Sequence, residues 1–355
     1  MNSVGGGLWI VVGLGAVMGL VMALPFLSKR VEEELEAFLL IMGVVSVSLA
    51  GLWSRSLVAD ALRAPWAITA AVLAAGLLFR AARGRVDGAV TRFTSRFGIP
   101  PFVFLLVAGL GLLSSLITAI IAALVLVEAV SALKLSRRYE VRLVILACYA
   151  IGLGAALTPI GEPLATIAVA KLRGEPHHAD FLFLARLLGV WIVPIVLGLA
   201  AWAAGMRLES NRREPGLKEN RPESLRDVVL RAAKVYAFVV GLVLLGAGFA
   251  PLADRYLLHL PGPALYWINL ISAALDNATL AAVEISPLMP LATIRLLLLG
   301  LLVSGGILIP GNIPNIICAN KLSIRSREWA AFGAPLGLAL MAGLFFIHLV
   351  LGYLS

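Results

Sequence analysis

Charged residues are scarce in this sequence. They make up 14% of its 355 residues, whereas 61% are hydrophobic, and the mean hydropathy is +0.98. A soluble domain has about 25% charged and about 45–50% apolar residues. This shortage of charge excludes a single soluble core. The net charge of +9 lies mainly in short segments between apolar runs, so we attribute it to basic membrane-flanking loops rather than to nucleic-acid binding.

Cysteine and histidine are also rare. The two cysteines, Cys148 and Cys318, lie in apolar runs, and their spacing fits neither a disulfide framework nor a metal site. The sequence contains no His-Glu-x-x-His motif, no nucleotide-binding loop and no Ser/His/Asp arrangement. We therefore expect no enzyme activity, no cofactor and no ATP-driven pump within this chain.

Long apolar runs are what the sequence does contain. Several reach roughly 20 residues, enough to cross about 30 Å of hydrocarbon, and they do not alternate as barrel strands would. Backbone polar groups in lipid need partners within their own segment, which favours helices. The prediction is an all-α polytopic membrane protein with about 8 spanning helices and 2 hairpins, whose main partner is the lipid bilayer.

Four apolar segments are not simple spans. Segments 100–134 and 262–290 are too long for one crossing and too short for two, which predicts re-entrant hairpins. Segments 139–172 and 292–322 carry Pro and Gly at mid-depth, which predicts discontinuous helices. Irregular backbone at membrane depth is tolerated only where protein or a watery cavity satisfies it.

The hairpin and the broken helix occur twice in the same order. A shift of 150 residues aligns Gly161 with Gly311 and Lys171 with Lys321. The sequence thus predicts two repeats after an N-terminal scaffold. The proposed divisions are scaffold helices 1–56, first repeat 57–206, cytoplasmic linker 207–226 and second repeat 227–355.

Basic residues predict the orientation of these repeats. Twenty Lys and Arg lie in five segments that we assign to the cytoplasm, and six lie in four segments assigned to the opposite side. The cytoplasmic segments are 28–35, 80–99, 134–142, 207–226 and 321–328; the others are 54–63, 171–179, 251–263 and 286–295. The two hairpins then open to opposite sides, so the repeats are inverted, and both termini lie outside. Inverted repeats with broken helices are typical of secondary transporters.

Asp276 is the leading candidate for ion chemistry. It lies in the middle of the second hairpin, with Asn277 and Thr279 beside it. A carboxylate at this depth costs about 3 kcal/mol on insertion scales, so it requires a partner, an ion or a proton. We interpret the three residues as cation ligands, with a purely structural hydrogen bond as the alternative.

Glu162 is the second candidate carboxylate. It lies in the first break with Thr158 and Gly161, where one half-helix ends in free carbonyls and the next begins with a positive dipole end. Glu162 could complete a Na⁺ site with Asp276 and Asn277, or it could cap the following half-helix. Both roles remain open at this stage.

Neutral oxygens complete the candidate site. Asn312 and Asn315 lie in the second break, and Ser115 and Thr118 lie near the first hairpin tip. Amides and hydroxyls can ligate a hard cation. The alternatives are turn formation for the asparagines and small-residue helix packing for the hydroxyl residues.

Four further charged residues are expected to play structural roles. Glu128 and Glu284 lie near the hairpin exits, where we expect them at the interface or paired with a basic residue, with a relay role as the alternative. Lys171 and Lys321 end the broken helices, and we expect both to extend towards the membrane surface.

The segments Thr158-Pro159-Ile160-Gly161-Glu162-Pro163 and Leu275-Asp276-Asn277 resemble motifs of the ion transporter superfamily. The likeness is to its NhaD-type sodium/proton antiporters and to a related small prokaryotic family of proposed cation transporters. The resemblance implies a scaffold region, a mobile transport region that moves like an elevator, and a homodimer. The chain departs from this pattern in its few scaffold helices and in its second break, Pro-Gly-Asn-Ile-Pro-Asn.

The sequence therefore predicts Na⁺/H⁺ antiport by alternating access in the plasma membrane of a prokaryote. The alternative is a Na⁺-coupled symporter of a small anion or carboxylate. The breaks carry Glu162 but no Arg or Lys, which favours a cation by sign. A remote third hypothesis, an intramembrane lipid-modifying enzyme, would require a catalytic constellation that the sequence lacks.

Overall fold

The computed structural model describes residues 4–28, 30–31, 34–133, 135–207, 225–256, 260–275 and 277–351. Every regular element within these ranges is helical, which confirms the all-α prediction. Asp276 and most of the 207–226 linker lie outside the described residues, as does the side chain of Thr279.

Nine α-helices lie in the described residues of the first half of the chain. They are α1 (Val4–Leu27), α2 (Leu35–Ala50), α3 (Arg55–Arg63), α4 (Pro65–Phe97), α5 (Ile99–Ile117), α6 (Ala119–Leu133), α7 (Arg137–Ala155), α8 (Pro163–Lys171) and α9 (Phe183–Gly205).

The second half contributes six more α-helices and two short 3-10 helices within the described residues. They are α10 (Leu225–Tyr256), α11 (Gly262–Ile268), the 3-10 helix Asn269–Ala273, α12 (Asn277–Glu284), α13 (Leu291–Ser304), the 3-10 helix Ile309–Gly311, α14 (Ile313–Leu322) and α15 (Ser326–Val350).

Helix length and composition make this a membrane-embedded protein. Among the described residues, four segments are long and apolar enough to cross a bilayer: Ile99–Ile117, Phe183–Gly205, Val228–Leu252 and Ser326–Val350. Shorter apolar helices accompany them at Trp9–Pro25, Leu35–Ala50, Ala119–Leu133 and Leu291–Ser304.

Helix α4 extends beyond the apolar run that hydropathy marks in the sequence. The sequence separates an apolar run from the basic stretch 80–99, but the structure continues one helix through both and ends it at Gly98, where φ is +86°. The basic stretch is rich in Ala and Arg, which are strong helix formers. Its charge therefore ends the apolar run without ending the helix.

Small residues bring α2 and α10 into close contact. A Cβ on Gly43 would lie 2.6 Å from the Gly241 carbonyl oxygen, and one on Gly248 would lie 2.6 Å from the Ser46 Cβ. Close backbone approach through small residues is a common way to pack helices in membranes. The α2–α10 pair also contacts α4 through α10.

Helices α7 and α13 occupy the interior of the protein. Every residue of α7 from Tyr139 to Ala155 except Arg142 is buried, and α13 is buried from Leu296 to Ser304. Each of these helices leads directly into an interrupted stretch. The interruptions therefore begin inside the protein and not at its surface.

Candidate functional site

The first interruption separates α7 from α8. The chain leaves the helix after Ala155, turns through residues 156–162 and resumes at Pro163, which begins α8 without needing a backbone N–H. A Cβ on Gly161 would lie 2.0 Å from the Ala155 carbonyl oxygen. Only glycine fits here, because the turn folds back onto the end of α7.

The tip of the first hairpin is bonded to this interruption. Helices α5 and α6 meet at Thr118, whose φ of +76° is strained for a β-branched residue. The Ala119 amide donates to the Gly161 carbonyl at 2.9 Å, and the Thr158 hydroxyl donates to the Ser115 carbonyl at 2.5 Å. The tip and the interruption therefore form one hydrogen-bonded unit.

The hydroxyl groups of this unit make structural bonds. Ser115 Oγ donates to the Leu112 carbonyl at 2.8 Å, and Thr118 Oγ1 accepts from the Ile121 amide at 3.4 Å. Ser114 Oγ bridges α5 to α7 through the Ile151 carbonyl at 3.0 Å. These contacts support the packing alternative for the hydroxyl residues.

Glu162 immediately precedes α8. Its backbone is extended, its residue is 6% exposed, and its side chain makes no capping hydrogen bond to the helix. The capping role that the sequence left open is thus not the role that the structure gives it. A buried carboxylate at the positive end of a helix is electrostatically favoured.

The second interruption separates α13 from α14. Asn312 precedes α14 and accepts the Ile313 amide at 2.8 Å, so it caps the helix. Asn315 Nδ2 donates to the carbonyls of Gly305 and Leu308 at 2.9 and 3.0 Å, which ties the turn together. Both asparagines thus perform the turn-forming role that was the structural alternative.

Asn315 nevertheless has an unused atom. The residue is fully buried, and its Oδ1 has no hydrogen-bond partner among the residues that the structure describes. A buried acceptor without a donor is costly, so such atoms call for an explanation. An oxygen held in this way is a suitable ligand for a cation.

The second hairpin packs against the second interruption. A Cβ on Gly311 would lie 3.0 Å from the Ala273 Cα, and one on Gly305 would lie 3.5 Å from Asn277 Nδ2. That nitrogen is buried and has no acceptor within the described part of the chain. Asn277 therefore presents a donor to the turn, in contrast to the acceptor presented by Asn315.

Contacts also cross between the two halves. Helix α6 packs on α14, where Lys321 forms a salt bridge with Glu128, and α12 packs on α8, where Lys171 Nζ donates to the Ile285 carbonyl at 3.1 Å. The Glu128 pairing confirms one expectation. Lys321 binds the Glu128 carboxylate and Lys171 binds carbonyls at the end of α12, so both lysines are bonded within the protein, and their extension to the membrane surface stays a prediction.

The two interruptions lie next to each other across α7. A Cβ on Gly152 would lie 2.6 Å from Asn312 Nδ2, and one on Gly306 would lie 2.3 Å from the ring of Tyr149. The Tyr149 hydroxyl donates a hydrogen bond to the Gly333 carbonyl at 2.7 Å. The first half of one broken helix therefore supports the break in the other.

The site consists of side-chain amides and of backbone groups freed by the two interruptions. Few carboxylates lie among its described residues. Within the described ranges no group of three or more His, Cys, Asp or Glu side chains could hold a metal ion. This excludes a multidentate carboxylate or thiolate centre from that part of the chain. Weakly charged oxygen sets with freed carbonyls are typical of transported alkali cations.

Some buried polar residues were not predicted from sequence. Ser272 Oγ and Ser304 Oγ lie 2.5 Å apart, joining the second hairpin to α13, and Asn269 is fully buried beside them. Isolated serines in apolar helices give no sequence signal, since small residues also serve packing. Asn269 could have been noticed as an amide within an apolar hairpin.

The helical architecture and its paired interruptions define a class: a polytopic, membrane-embedded α-helical protein. Residues 11–351 match the family described as "Protein of unknown function (DUF1646)", and the chain belongs to that family. The match includes both hairpins and both interruptions. A search of curated proteins found no match.

Proposed function

We propose that this protein is a secondary active transporter that exchanges Na⁺ for H⁺ by alternating access. The observation that carries the proposal is Asn315 Oδ1, a buried acceptor without a donor at an interrupted helix. A small cation would satisfy this oxygen together with neighbouring carbonyl lone pairs. The resemblance to the ion transporter superfamily supports the same reading.

The cross-contacts support inverted repeats. Helix α6 contacts α14 and α12 contacts α8, so each hairpin arm packs on the final half-helix of the other repeat. Such an exchange is what a pseudo-two-fold axis would produce. On this proposal the hairpins are re-entrant, the protein is a homodimer in the plasma membrane of a prokaryote, and both termini lie outside.

Cysteine labelling tests this orientation. Single cysteines placed within 207–226 should react only from the cytoplasmic side, and a cysteine at Arg255 only from the outside. Both replacements should be made in a Cys148→Ala, Cys318→Ala background, so that only the introduced cysteine can react. The two native cysteines are free and buried in the structure. Labelling of both positions from one side would contradict inverted repeats.

One observation favours the anion symporter as a second candidate. Asn277 presents a buried N–H donor without an acceptor, and a donor suits a carboxylate better than a cation. The carboxylates of Asp276 and Glu162 favour the opposite sign. We therefore retain Na⁺/H⁺ antiport as the conclusion and anion symport as the outcome to be tested against it.

Purified protein in liposomes with an internal pH dye distinguishes the two. Na⁺ or Li⁺ added outside should drive proton movement, and Asn315→Leu should reduce apparent Na⁺ affinity. Asn312→Ala is the matched control, because its oxygen already serves as a helix cap and its loss should affect stability more than affinity. If added Na⁺ or Li⁺ drives no proton movement, and the protein instead takes up a small carboxylate in a Na⁺-dependent way, the protein is a symporter and not an antiporter.

A further inference from the structure

Glu284 lies in an unexpected environment. It is the last residue of α12 and is 1% exposed, so it is neither interfacial nor paired with a basic residue in the described structure. The expectation from sequence is therefore wrong for Glu284, although it holds for Glu128. Burial of an acidic side chain this complete requires a compensating partner.

Asn269 is the polar side chain that faces Glu284. It lies in the 3-10 helix of the second hairpin, is fully buried, and donates through Nδ2 to the Leu297 carbonyl at 3.4 Å. Its Oδ1 has no donor, and neither Glu284 carboxylate oxygen has a hydrogen bond of ordinary geometry within the described residues. These three acceptor atoms share a buried space in which the Asn269 amide N–H is the side-chain donor directed at Glu284, and no described group supplies a hydrogen to Asn269 Oδ1.

The surrounding helices bring few charges towards Glu284. On α8, Lys171 donates to the Ala282 and Ile285 carbonyls, on either side of Glu284, rather than to its carboxylate. Arg295 on α13 lies close enough to His348 to act on it electrostatically.

Helix α10 contributes no central charge on this side. It has no charged residue between Lys234 and Asp254, and the side chains of Asp254 and Arg255 lie outside the described part of the chain. Lys234 itself pairs with Glu34, at the other end of the helix. The helices packed on α12 therefore supply no ion pair to Glu284 through their described side chains.

A proton resolves this arrangement better than a metal ion. An ionised carboxylate buried this deeply and facing a single neutral amide is strongly disfavoured. Protonation removes the charge and creates an O–H donor, which can bond to Asn269 Oδ1 and satisfy both groups. A Na⁺ or Ca²⁺ ion would want about six oxygens, and these two side chains offer three.

We propose that Glu284 and Asn269 form a proton-binding site, in which Glu284 is held as a neutral acid that donates to Asn269 Oδ1. The site is separate from the interruption at Asn315, because it lies at the far end of α12. Its role as the proton carrier of an antiporter rests on the proposed function. The binding of a proton at this site does not depend on the proposed function.

Infrared difference spectroscopy on the full chain in lipid tests occupancy directly. At neutral pH the protein should show the carbonyl stretch of a neutral carboxyl group, and Glu284→Gln should remove that band. Glu128→Gln is the matched control: this residue forms a salt bridge with Lys321, so its replacement should leave the band unchanged. A band that survives Glu284→Gln would overturn the proposal.

A second variant keeps the test decisive should Glu284→Gln not fold. Asn269→Leu removes the acceptor but not the acid, so the band should persist and shift to the higher frequency of a carboxyl group without a hydrogen bond. An unshifted band would overturn the Glu284–Asn269 pairing.

Transport measurements separate this proposal from the proposed function. Glu284→Gln should retain Na⁺ binding while losing the pH dependence of transport. If the Glu284 band is present but no cation drives proton movement, the antiport proposal fails and the proton site stands. If exchange occurs and its pH profile is unchanged in Glu284→Gln, the coupling role fails.

Discussion

The two hairpin-and-break units of this protein differ in how their polar groups are used. In the first unit, hairpin arms of 19 and 15 residues are regular helices, and the hydroxyls of Ser114, Ser115 and Thr158 all make hydrogen bonds. In the second unit, the arms have 7 and 8 residues, joined through a 3-10 helix. There Asn277 Nδ2 and Asn315 Oδ1 are buried and have no hydrogen-bond partner among the described residues.

The units also differ in their position. Leu116 and Ile160, at the first unit, are 59% and 51% exposed, whereas Ile309, Pro310 and Gly311 of the second are all buried. The first unit therefore reaches the surface at these two side chains, although Thr158, Gly161 and Glu162 of its turn are buried. The second leaves polar atoms unsatisfied in the interior, where an ion or a proton is worth most.

Asp276→Asn tests the role of the second unit and should have the largest effect on transport. If the second unit holds the transported ion, loss of this carboxylate should reduce cation-driven proton movement to the level of empty liposomes, because the neutral amide cannot exchange a proton for Na⁺. The measurement is the pH-dye assay on purified, monodisperse protein. Full retained exchange would remove Asp276 from the mechanism and shift weight to the anion symporter.

The two lysines offer a stability test of the cross-contacts. Lys321→Met leaves Glu128, whose side chain is 13% exposed, without its partner, which should cost up to about 3–5 kcal/mol. Lys171→Met loses only hydrogen bonds to carbonyls, about 1.5–3 kcal/mol. In detergent, Lys321→Met should unfold at a lower temperature than Lys171→Met. Glu128→Gln added to Lys321→Met should recover much of the loss, and a reversed ranking would contradict the assigned partners.

Glycine replacements compare the two turns themselves. Gly161→Ala and Gly311→Ala place a Cβ 2.0 Å and 2.5 Å from backbone carbonyl oxygens, so we expect overpacking costs of about 1–3 kcal/mol, larger for Gly161. The control is Gly189→Ala in α9, where nothing lies within 4 Å of the new carbon. That variant should unfold at the wild-type temperature or above it. Equal tolerance of all three would mean that the turns relax freely.

Glu162→Gln is the mildest of these changes. Since Glu162 makes no capping bond to α8, its replacement should not weaken the start of that helix. If its charge contributes to a cation site, apparent Na⁺ affinity should fall at least tenfold, about 1.4 kcal/mol, and the pH profile should move. Thr158→Ala is the comparison, because it loses a hydroxyl without changing charge. Wild-type affinity and pH profile in Glu162→Gln would leave Asp276 as the acidic residue of the site.

Local sequence was informative wherever a residue limits its own backbone. Pro163 and Gly161 interrupt the first helix, and Pro310 and Gly311 interrupt the second, because proline removes a donor and glycine permits close approach. Hydropathy alone was less reliable for α4, because charge ends an apolar run without ending a helix.

The same limit applies to the first hairpin. Its arm α5 has the length and composition of a full membrane crossing, which total segment length did not reveal. Re-entry of that hairpin therefore remains a prediction.

The sequence by itself determined that this chain is helical and membrane-embedded, and where its helices are interrupted, because composition and backbone restrictions are local properties. Only the tertiary structure decided the partners of the buried charges. Glu128 and Glu284 have similar positions in their hairpins, yet one meets Lys321 and the other meets Asn269. The partner of such a charge depends on which side chains the fold brings to it: Lys321 lies 193 positions from Glu128 along the chain, whereas Asn269 belongs to the same hairpin as Glu284.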